Sequence, residues 1–125
     1  MSKEFKAGRY YIGDLSYVIT DQGFEHLLES TDFLKSEEQI FKVYPVFTRN
    51  TAQGDGLFHD QKDRIYAVDS GTLGIMPFKA IEKAIPSHKT YGKLGHVVEF
   101  KHDFKVECKN GVFIFGDIVI DTNLG

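Results

Sequence analysis

The sequence predicts an α+β fold: a mostly antiparallel β-sheet of about six to eight strands, curled into a sandwich or open barrel, with two short helical segments packed on it. Three observations carry that expectation. The 11 Phe and 6 Tyr, with no Trp, fall mostly in extended-looking runs, and both residues favour strands. Residues 98 to 109 alternate strictly, with Val98, Phe100, His102, Phe104, Val106 and Cys108 on one side and charged residues on the other, the period of a strand with one buried face. Asn110-Gly111 then supplies the strongest short signal for a two-residue hairpin turn.

Taken in order, Arg9 to Ile19 reads as the first extended segment, with Gly13 permitting a bulge or a close backbone approach beside Asp14. Thr20-Asp21-Gln22-Gly23 is turn chemistry, and the spacing of Phe24, Leu27 and Leu28 suits a short helix. Phe33, Leu34, Ile40 and Phe41 extend that helical pattern through Ser36-Glu37-Glu38. Lys42 to Thr48 reads as a strand, with Pro45 placing it at an edge. A meander follows, from Leu57-Phe58-His59-Asp60 through a reverse turn at 60 to 63 into Arg64–Asp69. Ser70-Gly71-Thr72 interrupts, and Leu73–Pro77 resumes the sheet. Apolar residues at 78, 81 and 85 predict a short amphipathic helix closed by Pro86. Ser87 to Gly95 reads as a mobile surface connection, with a lid as the alternative. Counting back from a Lys109–Val112 pair sets Phe104 opposite Asp117 and His102 opposite Val119. Asp117 then shares a face with His102, its diagonal neighbour, unless a bulge at Gly116 turns it towards Lys105.

A chain of 125 residues fits one domain that buries roughly two-thirds of its unfolded surface. Its net charge of −3, from 15 basic and 18 acidic residues, argues against general affinity for nucleic acid. The lone Cys108 can form no internal disulfide, and there is no CxxC or Cys/His metal spacing. Met1-Ser2-Lys3-Glu4-Phe5-Lys6 lacks the apolar core of a signal peptide, and no stretch approaches the ~18 apolar residues of a membrane span. A soluble cytoplasmic protein, not bound to a membrane and with no cofactor motif, is the expectation.

Three apolar runs carry an acid where a strand should be hydrophobic: Tyr10-Tyr11-Ile12-Gly13-Asp14-Leu15, Tyr66-Ala67-Val68-Asp69-Ser70-Gly71 and Phe113-Ile114-Phe115-Gly116-Asp117-Ile118. Burying an unpaired carboxylate is costly, so each needs a reason. If Asp14, Asp69 and Asp117 converge, they offer hard oxygen ligands for Mg²⁺ or Ca²⁺, or a carboxylate pair with separated pKa values. Asp117 beside His102 can orient a base. The structural alternatives are a carboxylate accepting hydrogen bonds from a loop, His102 at the solvent boundary, and an Asx-type turn in which Ser70 and Thr72 donate to Asp69. Gly54-Asp55-Gly56 lacks the ligand series and closing Glu of an EF-hand. Asp69-Ser70-Gly71 matches the triplet of retroviral-type proteases, but its flanks do not follow that pattern. Cys108 reads as a small buried hydrophobe.

The opening Gly8-Arg9-Tyr10-Tyr11-Ile12-Gly13-Asp14-Leu15-Ser16-Tyr17-Val18, with Gly54-Asp55-Gly56-Leu57-Phe58 and Tyr66-Ala67-Val68-Asp69-Ser70-Gly71-Thr72-Leu73-Gly74-Ile75, resembles small uncharacterised proteins of bacteria and their phages. Leu15-Ser16 stands where that group often has Pro-Cys, so no role can rest on a cysteine there. The resemblance covers three islands between 8 and 77. It implies no activity, only a phage accessory protein that engages a host protein or a small signalling molecule.

Two classes therefore remain open. A binding protein would present exposed aromatics and the loops at 49 to 63 and 86 to 96, with a homodimer through the edge near Pro45 also open. A hydrolase would use Asp14, Asp69 and Asp117, with His102, in metal-assisted or acid–base chemistry. The absence of nucleophile, metal and phosphate motifs favours the first.

Overall fold

The computed structural model describes residues 2–36 and 38–124. The first half contains β1 (Ser2–Phe5), β2 (Gly8–Gly13), a 3-10 turn (Leu15–Tyr17), α1 (Asp21–Ser30), β3 (Ile40–Phe41), β4 (Tyr44–Pro45), β5 (Phe47–Asn50) and β6 (Gly56–His59). The second half contains β7 (Ile65–Val68), β8 (Thr72–Pro77), a 3-10 turn (Phe78–Ala80), β9 (Ser87–His88), β10 (Gly92–Lys93), β11 (His96–Phe100), β12 (Phe104–Lys109), β13 (Val112–Phe115) and β14 (Ile118–Asp121). Two four-stranded sheets dominate, ordered β1-β12-β13-β14 and β11-β2-β8-β5, beside the ribbons β3–β4, β6–β7 and β9–β10. All these pairings are antiparallel. The α+β expectation holds, in a sandwich-like form.

One bent ladder joins the two sheets. Ser2 to Phe5 pair with Glu107 to Phe104, and the same two chain segments continue in the other sheet as Gly8 to Ile12 against Phe100 to His96. Strands that change sheets form corners. Here the Ala7 N–H donates to Asp103 Oδ1 at 2.8 Å, and Tyr10 Oη donates to the Lys6 carbonyl at 2.7 Å. This corner breaks the long strand expected over 98 to 109. The apolar face persists in Phe100 and Phe104, whose rings stack 3.8 Å apart, while His102 lies exposed on the bend.

β2 is buried on both faces, which is why Tyr10-Tyr11-Ile12 reads as continuous rather than alternating. Tyr10 and Ile12 face a core shared with Phe104, Val106, Phe113 and Ile120 of the other sheet. Tyr11 faces a second core with Leu15, Ile19, Leu27 and Met76, under α1. Each fully buried side chain of this size contributes about 1.5–3 kcal/mol.

Local chemistry sets the element ends. Thr20 caps α1, its Oγ1 accepting from the Gly23 N–H at 3.0 Å, so the expected turn is the start of the helix. The helix does not continue through 36 to 38. Asp32, Phe33 and Leu34 take φ of 50°, 53° and 71°, and Thr31 Oγ1 donates to the Leu27 carbonyl at 2.6 Å and accepts from the Leu34 N–H at 3.0 Å. Ile40 and Phe41 are strand, and Glu37 lies outside the described residues. Lys42, with φ 58°, sits in a turn, so the expected 42–48 strand divides into β4 and β5. The helix expected over 78 to 85 is only a 3-10 turn, because the Glu82 and Lys83 N–H groups donate to the Val18 carbonyl at 2.6 and 3.0 Å. The first extended segment stops at Gly13, and Ser87 to Gly95 holds the ribbon β9–β10.

The expected hairpins at 60–63 and 110–111 are present, and Lys109 pairs with Val112. Asn110 and Gly111 have φ of 53° and 80°, the left-handed pair a type I′ turn requires. A second two-residue turn, Gly116-Asp117, overturns the count beyond it. Phe115 pairs with Ile118 and Ile114 with Val119, so Asp117 opposes no residue of β12 and His102 does not face Val119.

Candidate functional site

Two of the three aspartate motifs form one unit. Asp14 follows β2 directly, caps the 3-10 turn at Leu15–Tyr17 and is fully buried. Its Oδ1 accepts from Ser16 N–H at 2.9 Å, Ser16 Oγ at 2.7 Å and Ser70 Oγ at 2.8 Å. Its Oδ2 accepts from the backbone N–H groups of Asp69 and Ser70, both at 2.8 Å. With its single proton given to Asp14, Ser70 Oγ accepts from Thr72 Oγ1 at 2.6 Å.

The expected Asx-type turn on Asp69 is thus inverted. Ser70 serves Asp14, and Asp69 contributes its backbone while its side chain stays exposed. Five donors occupy the lone pairs of the Asp14 carboxylate, leaving no direction for a metal or a substrate proton. Nearby Tyr17 is pushed up to about 12 by burial and by the negative charges of Asp14, Asp69 and Asp55. Burial and the Asp14 charge also raise Tyr11, whose hydroxyl donates to the Asp14 carbonyl at 3.1 Å. Close packing supports this: a Cβ on Gly95 would lie 2.4 Å from the Tyr11 ring.

His102 and Asp117 do not join this unit. Both are exposed, His102 on the corner bend and Asp117 in the β13–β14 turn. Gln61 clasps that turn, donating to the Asp117 carbonyl and accepting from the Val119 N–H at 2.9 Å. Among the described residues no group of three or more His, Cys, Asp or Glu is placed to hold a metal ion. Cys108 is half-buried, and burial raises its thiol pKa, as expected of a packing residue.

A groove of about 800 Å³ opens elsewhere. Its floor is β2, where Gly8, Arg9 and Tyr10 meet Pro77. The β3–β4 hairpin contributes Val43, Tyr44 and Pro45 to its walls, and the turn after β8 contributes Phe78 and Lys79. Lys6 and Glu99 complete the rim. Val43 at the hairpin tip is 82% exposed, and Tyr44 and Phe78 are half-exposed. The Arg9 guanidinium lies 5.8 Å from the Phe78 ring centroid, and Arg9 Nε is 3.5 Å from Glu99. The walls are braced, because Lys42 Nζ donates to Glu82 Oε2 at 2.7 Å while Glu82 Oε1 accepts from the Thr20 N–H at 2.9 Å.

Sequence reasoning directed attention to the loops at 49 to 63 and 86 to 96 and missed this groove. Its residues come from four separated stretches, and only Pro45, read as an edge, pointed towards it. Searches with the chain against protein-family models, curated proteins and solved structures return no match.

Proposed function

We propose that this protein works by binding, as a small accessory protein of the phage type its motifs resemble, and that the groove over β2 receives its host-derived ligand. The observation that carries this reading is a contrast. The Asp14 carboxylate is saturated by five donors, whereas the groove is open and joins the cations Lys6, Arg9 and Lys79 to the aromatic groups of Tyr44 and Phe78. A few convergent polar groups in a largely apolar concavity are the ordinary form of a ligand site. The motifs at Asp14 and Asp69-Ser70 then build the scaffold and carry no chemistry.

Melting curves of the wild type and an Arg9→Ala/Lys79→Ala double variant, each with host extract separated into protein and small-molecule fractions, test this. A fraction that raises the wild-type Tm and leaves the variant's unchanged contains the ligand. The reading fails if no fraction separates the two proteins. It also fails if Mg²⁺ or Mn²⁺ supports an ester or phosphate hydrolysis that Asp69→Asn abolishes.

A further inference from the structure

We infer that the groove ligand is a small molecule joining a planar ring to a phosphate chain, of nucleotide size. This rests on the binding reading and narrows it from a partner of any kind to one chemical class. Size is the first support: about 800 Å³ lies within the ~300–1,000 Å³ of small-molecule sites.

The floor is the second. β2 is hydrogen-bonded on one side to β11 and on the other to β8, so it presents no free backbone row to which a partner's strand could add. Recognition there must come from side chains.

Charge is the third. The chain carries a net −3, yet three cations converge on this groove from the β1–β2 link, from β2 and from the turn after β8. Among the described residues Lys79 has no ion-pair partner. Lys6 and Arg9 lie 3.5 Å from Asp103 and Glu99, in pairs exposed to solvent. Such pairs are weak and exchange readily for a phosphate, which accepts charge-assisted hydrogen bonds from Arg and Lys. The aromatic groups are the fourth support. Phe78 already holds a planar cation beside its ring, and Tyr44 also lines the groove, so a flat heterocycle has aromatic groups next to the cations.

Isothermal titration of the whole protein with ATP, GTP, CTP and UTP, compared with the parent nucleosides, tripolyphosphate and a glutamate-rich peptide containing one tyrosine, tests the class. At least one nucleotide should bind more tightly than both its nucleoside and tripolyphosphate. Arg9→Ala and Lys79→Ala should each weaken it about tenfold. Phe78→Ala should weaken the nucleotide but leave tripolyphosphate unchanged, a split that general misfolding cannot produce. Unaltered melting of the variants confirms intact folds. The inference is overturned if no nucleotide exceeds tripolyphosphate, or if the cation variants bind as the wild type does. Peptide binding that depends on Arg9 and Lys79, with no nucleotide binding, overturns it while leaving the groove as the binding site. No ligand here, together with no active extract fraction, overturns both readings.

Discussion

A buried carboxyl group with five donors and, among the described residues, no ion-pair partner is held by oriented dipoles, and that makes Asp14 intolerant of its closest isostere. An amide in its place must turn an NH₂ towards either the Asp69 and Ser70 N–H groups or the Ser16 and Ser70 donors, and one set then loses its acceptor. Asp14→Asn should cost about 3 kcal/mol, a fall in Tm of roughly 10 °C. Asp69→Asn should stay within about 0.5 kcal/mol, because its side chain is exposed and only its backbone serves the unit. Parallel melting curves of the two variants check both, and similar losses would refute the assignment. An acid inside an apolar run was legible as a lead, and the Gly-Asp and Asp-Ser-Gly motifs do meet. Which carboxylate receives the Ser70 hydroxyl was not legible, since Asp14 and Ser70 are 56 residues apart and local turn rules offer only the nearer Asp69.

At the scale of elements, turn geometry decides most outcomes. Gly111 has φ 80°, and a Cβ there would lie 2.6 Å from the Ala52 Cβ; Gly54, at φ 75°, has nothing within 4 Å. Both positions disfavour alanine through the backbone, by about 1 kcal/mol. Gly111→Ala should therefore lose more than Gly54→Ala, by a further ~1 kcal/mol of steric conflict, and urea midpoints of the two variants measure the difference. The Asn-Gly turn was read correctly because its two residues determine the geometry. Gly116-Asp117 carried a comparable signal between two apolar runs, but the strength of the alternation before it suggested a continuous strand. At α1 the sequence showed the apolar spacing but not the left-handed run at 32 to 34, which depends on Thr31 bonding in both directions.

For the whole molecule, Asp60 fastens the β6–β7 ribbon to the larger sheet through its bridge to Ile120. Burial works to raise its pKa, but hydrogen bonds from Tyr66 Oη, the Arg64 and Lys62 N–H groups and the Arg64 side chain hold it below the ordinary 3.8. A carboxylate with a lowered folded pKa contributes stability that is complete above its unfolded pKa and is lost as pH falls through the folded one. The wild type should therefore weaken below pH about 4, whereas Asp60→Asn should begin about 3 kcal/mol less stable and show a flatter profile there. Urea titrations between pH about 7 and 2 provide the comparison. At this scale the β-rich α+β architecture followed from aromatic content and alternation. The groove did not, because Arg9, Tyr44 and Phe78 are brought together only by the crossing of sheet and hairpin.

The bent ladder also has a consequence for synthesis. β2 pairs on one side with β8, more than 60 residues further along the chain, and on the other with β11, about 85 residues further along. A ribosome adding about 5–20 residues per second leaves both edges of β2 uncovered for on the order of ten seconds. During that interval Tyr10-Tyr11-Ile12 is an unprotected, uncharged strand edge, the part of the nascent chain a chaperone has most reason to cover.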